Sequence, residues 1–264
     1  MAYKSSLVIS HCIDGQAYDV INYLLVNSLI DINEVINQYG WTAIHKAVYT
    51  KDIDLIVLLI KYEVNINVVD INGNTPLHIL FQPTSPHLIT INNKPYPDFG
   101  VNNHCLIVIL KLLLYYCKSQ NINILNKQNK FGKTALHYAV VNIGFTAPVM
   151  LVLIDLLLDS GCDPNARDRL NRTPLFCVFN EFNVCEKIKR QIILKLLESG
   201  ADPLNLYQFK SFIGTFTLKQ LSRQCLLRNN CVKTLQQIYN NLPQELISYL
   251  SVTQLHKPCI KLKA

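Results

Sequence analysis

The chain has 264 residues, 50% of them apolar and 16% charged, which is enough material for a sizeable core and too little charge for a disordered chain. No apolar run approaches the roughly eighteen residues of a membrane span. The N-terminus, MAYKSSLVISHCIDG, makes a poor signal peptide, because one lysine precedes an apolar patch soon interrupted by His11 and Asp14. A soluble chain in the cytoplasm, with the nucleus as a second compartment, is expected, with no membrane partner.

The net charge of +7 is unevenly placed. Residues 1–209 balance 17 Lys and Arg against 17 Asp and Glu, whereas residues 210–264 set eight basic residues against Glu245 alone. That shift marks a candidate domain boundary. The nine cysteines are an odd count and include no C-x-x-C pair, which argues against a disulfide framework and a zinc site alike. They read as small apolar filler.

In chain order, the first unit covers about residues 5–37. It keeps a second-helix stretch, VINYLLVNSLIDIN, but lacks the helix start that the later units share. A degenerate end unit is how a stacked array closes off. The shared start then appears four times: GWTAIHKAV from Gly40, GNTPLHILF from Gly73, GKTALHYAV from Gly132 and NRTPLFCVF from Asn171. Three of these lead on to a Leu-Leu helix and a turn, LLIKYEVNIN (58–67), LLLDSGCDPN (156–165) and LLESGADPLN (196–205).

Each recurring residue has a physical task. Thr42, Thr75, Thr134 and Thr173 cap a helix N-terminus. Pro76 and Pro174 take the first helical position, where a missing N–H costs nothing. Gly161 and Gly200 end the second helix in the left-handed conformation. His45, His78 and His137 recur in one register, which makes them structural, bridging backbone groups; Phe176 holds the fourth such place, near the array's end. One helical hairpin cannot bury its apolar face alone, so the copies must stack.

These segments resemble ankyrin repeats, with the pattern G-x-T-P-L-H-x-A followed by L-L-x-x-G-A-x-x-N. The resemblance implies an all-α solenoid of helix-turn-helix units with hairpin loops, about five units over residues 5–207. The four threonines stand 33, 59 and 39 residues apart, against an ankyrin period of about 33. The large excess is an insertion at 82–103, QPTSPHLITINNKPYPDFGVNN, too rich in Pro and Asn to pack as a helix. It is expected to loop out between the two helices of its unit, either as a tolerated surface insertion or as a partner-contacting loop. Ankyrin arrays bind partners through hairpin tips and inner helices, which makes Tyr39, Trp41 and Phe131 candidate target-binding residues. Exposed aromatics suit that role, and each is equally able to pack on a neighbouring unit.

After Asp202 the pattern stops and three short helical signals follow. Leu218, Leu221, Ser222, Cys225 and Leu226 form one stripe; Val232, Leu235, Ile238 and Tyr239 form a second; Pro243 and Glu245 open a third that presents Leu246, Ile247 and Leu250. About forty residues cannot bury these side chains among themselves. They must lean on the array or on another protein.

Thr217-Leu218-x-x-x-Ser222-x-x-x-Leu226 looks like the elongin-binding box that opens a SOCS box, with Ser222 where the family usually has Cys. IYNNLPQELISYL, residues 238–250, looks like the cullin-binding half, with Asn240-Asn241 in place of the first Leu-Pro. The chain thus resembles the ankyrin repeat and SOCS box family, with the box at 211–252 and a tail at 253–264. The resemblance implies a substrate receptor in an elongin B/C–cullin–RING ubiquitin ligase. Leu218, Leu221, Ser222, Cys225 and Leu226 would then meet elongin C, and Leu242, Pro243, Leu246, Tyr249 and Leu250 a cullin. Tyr249-Leu250 and the ankyrin context favour the fifth cullin, while the looser apolar-Pro pattern also fits the second. The protein substrate is left open, and no cofactor, metal or catalytic residue is implied. A plain ankyrin scaffold or inhibitor whose tail caps the stack is the other reading. Nucleic-acid binding is disfavoured, because the tail's charges alternate with apolar positions without interleaved stacking aromatics.

Overall fold

The computed structural model describes residues 2–82, 90–91, 94–95, 103–141, 147–180 and 186–202. Within them the chain forms five helix pairs: α1 (Ala2–Asp14) with α2 (Tyr18–Val26), α3 (Ala43–Thr50) with α4 (Ile53–Lys61), α5 (Pro76–Phe81) with α6 (Asn103–Ser119), α7 (Ala135–Ala139) with α8 (Ala147–Asp159), and α9 (Pro174–Asn180) with α10 (Glu186–Glu198). The first helices pack side by side in one row and the second helices in another, so the molecule is two layers deep along its stacking axis.

The first helices are short because their boundaries are written into the sequence. Thr42, Thr75 and Thr134 sit in extended backbone at the N-caps of α3, α5 and α7. Gln82, which precedes Pro83, leaves α5 with ψ of 137°, as expected for a residue pushed out of the helical region by a following proline. Every second helix is followed by a left-handed residue. Gly161 and Gly200 do this as expected, while Ser28, Glu63 and Asn121 do it without the glycine.

The core lies between the two layers and between successive pairs. Ile44, Leu55, Leu77, Leu106, Leu113 and Leu136 are each essentially inaccessible. Burial of a side chain of this kind contributes about 1.5–3 kcal/mol. Polar bonds tie neighbouring pairs at the rim of this core. The Tyr18 hydroxyl donates to Asp52, which also caps α4 by accepting the Leu55 N–H, and Lys46 pairs with Asp14 at 2.7 Å. Cys117 and Cys162 are buried in the same packing, and burial pushes their thiols up to about 11 and about 12.

In chain order the insertion falls between α5 and α6, the two helices of one pair. It departs from an all-α reading at one point: β1 (Thr90–Ile91) pairs antiparallel with β2 (Lys94–Pro95), Thr90 opposite Pro95 and Ile91 opposite Lys94. Its remaining residues between 83 and 102 lie outside the described residues.

Candidate protein-binding edge

Four hairpins join the pairs, and each is closed by one side chain. Asn37 Oδ1 accepts the N–H groups of Tyr39 and Trp41 at 3.0 and 3.1 Å. Asp70 Oδ1 accepts those of Asn72 and Asn74, both at 2.8 Å. Asn129 Oδ1 accepts from Phe131 and Lys133 at 2.9 and 3.1 Å, and Asp168 Oδ1 from Leu170 and Arg172, both at 2.9 Å. One short carboxylate or amide thus substitutes for a strand partner, the local bonding for which Asn and Asp are favoured in turns. The signal was present in the sequence as NQYG, DING, NKFG and DRLN, an Asn or Asp three residues before each turn residue.

The turn residue itself is Gly40, Gly73 or Gly132, with φ between 74° and 76°, and Asn171 in the fourth hairpin at 61°. The glycine is needed for a second reason, because the next hairpin comes very close. A Cβ on Gly132 would lie 2.6 Å from the Arg169 nitrogen, backbone that cannot step aside. This approach lets the hairpins bond in series: Tyr39 O accepts the Ile71 N–H at 3.0 Å, Asn72 O the Lys130 N–H at 2.8 Å, and Phe131 O the Arg169 N–H at 3.0 Å.

The ladder fixes what the edge presents. Ahead of each turn residue stands an exposed dipeptide: Gln38-Tyr39, Ile71-Asn72, Lys130-Phe131 and Arg169-Leu170. Tyr39 is 41% exposed, Ile71 49%, Phe131 55% and Leu170 67%, so one large apolar side chain stands out at every hairpin. Of the three aromatics expected here, Tyr39 and Phe131 are on this edge, two hairpins apart. Trp41 is not fully on it. It is half-buried against the core, its ring 6.1 Å from Tyr39 and 4.9 Å from Tyr49 on α3. Burial raises the Tyr49 phenol, whose oxygen has no hydrogen-bond partner among the described residues.

Behind the edge runs a seam of histidines. His45 Nδ1 accepts the Thr42 backbone N–H at 3.2 Å, while Nε2 lies 3.1 Å from the Asn74 carbonyl of the next unit. His78 does the same with Thr75 N–H (3.1 Å) and Lys133 O (2.9 Å), and His137 with Thr134 N–H (3.1 Å) and Arg172 O (3.0 Å). The Thr-His pairs form capping boxes in which imidazole takes the part usually played by Glu or Gln. A backbone N–H can only donate, so Nδ1 is unprotonated and the single proton of a neutral ring sits on Nε2, aimed at the next unit's carbonyl. Burial keeps the rings neutral: His78 is lowered to about 4, chiefly by desolvation, and His45 and His137 are lowered for the same reason. At the fifth pair Phe176 occupies this place, and the Thr173 hydroxyl caps α9 by accepting the Phe176 N–H at 3.3 Å.

The described residues contain no group of His, Cys, Asp or Glu able to hold a metal ion. The elongin-facing residues Leu218, Leu221, Ser222, Cys225 and Leu226 lie outside the described residues. So do the cullin-facing Leu242, Pro243, Leu246, Tyr249 and Leu250.

A family model described as ankyrin repeats (3 copies) matches residues 9–82, and the single ankyrin repeat model matches residues 131–169. A putative ankyrin repeat protein, FPV024 of fowlpox virus, is 27% identical over 198 residues, which cover 75% of this chain and 28% of that protein. The inhibitor of Bruton tyrosine kinase from Xenopus laevis is 27% identical over 77 residues, 29% of this chain and 6% of its own length. A probable serine/threonine-protein kinase of Dictyostelium discoideum matches over 148 residues at 28% identity, 54% of this chain and 14% of the kinase. The chain therefore spans well under a third of each of these relatives.

Proposed function

We propose that this chain of ankyrin repeats is a non-catalytic adaptor that holds a target protein on its hairpin edge and docks through residues 211–252 on elongin C, with elongin B, and on a cullin. The observation that carries the first half is the ladder: a stacked, mutually bonded scaffold presents exposed, non-repeating side chains at fixed spacing. Preorganised presentation of this kind lowers the ordering cost of binding another protein. The second half is supported by the two sequence boxes in order, Thr217 to Leu226 and Ile238 to Leu250, following the array. The chain then acts by proximity, raising the effective concentration of target lysines near the E2 thioester that the cullin's RING protein recruits.

Leu218 is the main elongin anchor in this reading, with Ser222 and Leu226 beside it. The full-length chain is expected to capture elongin B/C in a pulldown, and Leu218→Asp to lose at least about 90% of that capture, as removal of a buried apolar anchor does. Failure of the wild type, or equal capture by Leu218→Asp, removes the ligase reading. What stands in that case is a scaffold or inhibitor whose C-terminal helices cap the stack. Ser222 favours that second reading, because a hydroxyl buried without a good partner costs about 1–3 kcal/mol. The Xenopus relative's name, an inhibitor of a kinase, points the same way.

A further inference from the structure

The edge is not uniform along its length. The first two hairpins and the residues leading into them, 31–41 and 64–74, hold Asp31, Glu34 and Asp70 and no cation. The corresponding segments of the third and fourth, 123–133 and 163–172, hold six Lys and Arg against Asp163 and Asp168. Asp168 is spent internally: it is 5% exposed, accepts two backbone N–H groups, and takes Arg172 at 2.7 and 2.8 Å. The third hairpin has neutral Asn129 in the same role. Lys127 bonds Asn67, Lys133 lies over the Tyr138 ring and Arg167 donates to Asn171 Oδ1 at 2.9 Å, so these three are engaged within the array.

What remains outward is a repeated pair. Lys130-Phe131 on the third hairpin and Arg169-Leu170 on the fourth are all exposed, each a cation followed by a large apolar residue. The bond from the Arg169 N–H to the Phe131 carbonyl sets the second cation directly beside the first apolar position. We propose that the third and fourth hairpins form a docking surface for an acidic peptide segment in which carboxylates alternate with apolar side chains. This rests on the reading that the hairpin edge holds the target, and adds the chemistry of what is held.

A peptide fits this surface better than a nucleic acid does. A phosphate chain continuing along the edge would meet Ile71-Asn72 and Gln38-Tyr39, with Asp31 and Glu34 beyond them, and lose its counter-charges after two hairpins. A short acidic segment needs only two. Phe131 and Leu170 also call for apolar partner atoms, which a sugar-phosphate backbone does not offer. Charge sets register and on-rate here, and the two apolar side chains supply the desolvated contact.

The test uses the full-length chain and a fluorescent synthetic peptide of about eight residues alternating Glu and Leu, read by anisotropy. Binding is expected, falling with salt as paired exposed charges do. Lys130→Glu with Arg169→Glu is expected to weaken it at least about tenfold, because like charges then face each other across the interface. Phe131→Ser with Leu170→Ser should weaken it about threefold or more. Glu34→Lys, on the first hairpin segment, should leave it unchanged. The milder pair Lys130→Gln with Arg169→Gln is run beside the charge reversal, with thermal melts of all variants, so that a folding defect is recognised. No binding of the peptide, equal binding by both charge variants, or displacement of the peptide by an oligothymidine at lower concentration overturns the proposal. Elongin capture reads out separately: loss of capture in Leu218→Asp with the peptide still bound concerns the tail alone. A chain that captures elongin yet ignores the peptide loses the acidic-peptide assignment and keeps the ligase reading.

Discussion

The histidine seam and the hairpin edge run side by side through the middle of the array, and they repeat in opposite ways. Along the seam the side chains recur: Thr42-His45, Thr75-His78 and Thr134-His137 make the same bonds to the same kinds of backbone group. Along the edge the backbone recurs, with its Asn or Asp closure, its positive φ and its ladder bond, while the tip side chains change from Gln-Tyr to Ile-Asn, Lys-Phe and Arg-Leu. A side chain that satisfies a buried N–H and a buried carbonyl has few chemical alternatives. One that meets another molecule is constrained only by that molecule. The seam therefore carries stability and the edge carries specificity, and each half of that statement is open to attack.

The strongest attack on the seam is His78→Ala. His78 is fully buried and links its own helix start to the next unit. Alanine leaves the buried Thr75 N–H without its acceptor and cuts the tie to the Lys133 carbonyl, which keeps only the Asn129 N–H of its own hairpin at 3.0 Å. A buried group orphaned in this way costs about 1–3 kcal/mol, and the space left by the imidazole adds to it, so a loss of about 2–4 kcal/mol is expected in urea unfolding. A change below about 1 kcal/mol, the level of an ordinary surface substitution, would mean that the imidazole is not what ties the units.

Gly132→Ala attacks the edge where it is held to be invariant. At φ of 74° an L side chain costs about 1–2 kcal/mol, and the new methyl would also have to displace the Arg169 backbone. The expected loss of about 2 kcal/mol or more exceeds that at Asn171→Ala, where the φ of 61° is similar but a Cβ is already present, and the change removes an exposed bond from Arg167 and asparagine's better tolerance of that conformation, about 1 kcal/mol together. Equal losses at the two sites would show that the hairpins are not pressed together by the ladder.

How far the sequence could be read follows the same division. Caps, prolines and glycines have local causes, so the helix starts at Thr42, Thr75 and Thr134 were legible, as was the position of the insertion in the chain between α5 and α6. The recurrence of His45, His78 and His137 marked them as structural, but which carbonyl each would meet depends on how units stack, a fact outside any one unit. Trp41 was grouped with Tyr39 and Phe131 because all three sit near a turn. Its partial burial depends on Tyr49 arriving one helix later. The β1–β2 pairing inside the Pro/Asn-rich insertion had no periodic signal to announce it. The closing role of Asn37, Asp70, Asn129 and Asp168 was legible and missed, since polar residues near glycines read as ordinary turn composition. The tail's boxes, outside the described residues, stand as sequence motifs.

A change of pH separates seam from edge without altering the chain at all. His78 has a pKa of about 4 in the folded chain, against 6.5 when unfolded, so between those values the unfolded chain binds the proton more readily. Stability from this group is therefore fully present above about pH 6.5 and is lost as pH falls toward about 4, below which nothing further is lost. Between pH 7 and about pH 5 the loss from His78 comes to about 2 kcal/mol, at about 1.4 kcal/mol per pH unit. His45 and His137, lowered by the same burial, add to it in the same direction. The cause is mechanical as well as electrostatic, because a proton on Nδ1 removes the acceptor that holds the Thr75 N–H. Urea midpoints measured at the two pH values should show the drop in the wild type and a visibly shallower one in His78→Ala. The charge variants at Lys130 and Arg169 should follow the wild-type slope. A wild-type midpoint that does not move, or an edge variant that flattens it, would place the titrating groups somewhere other than the seam.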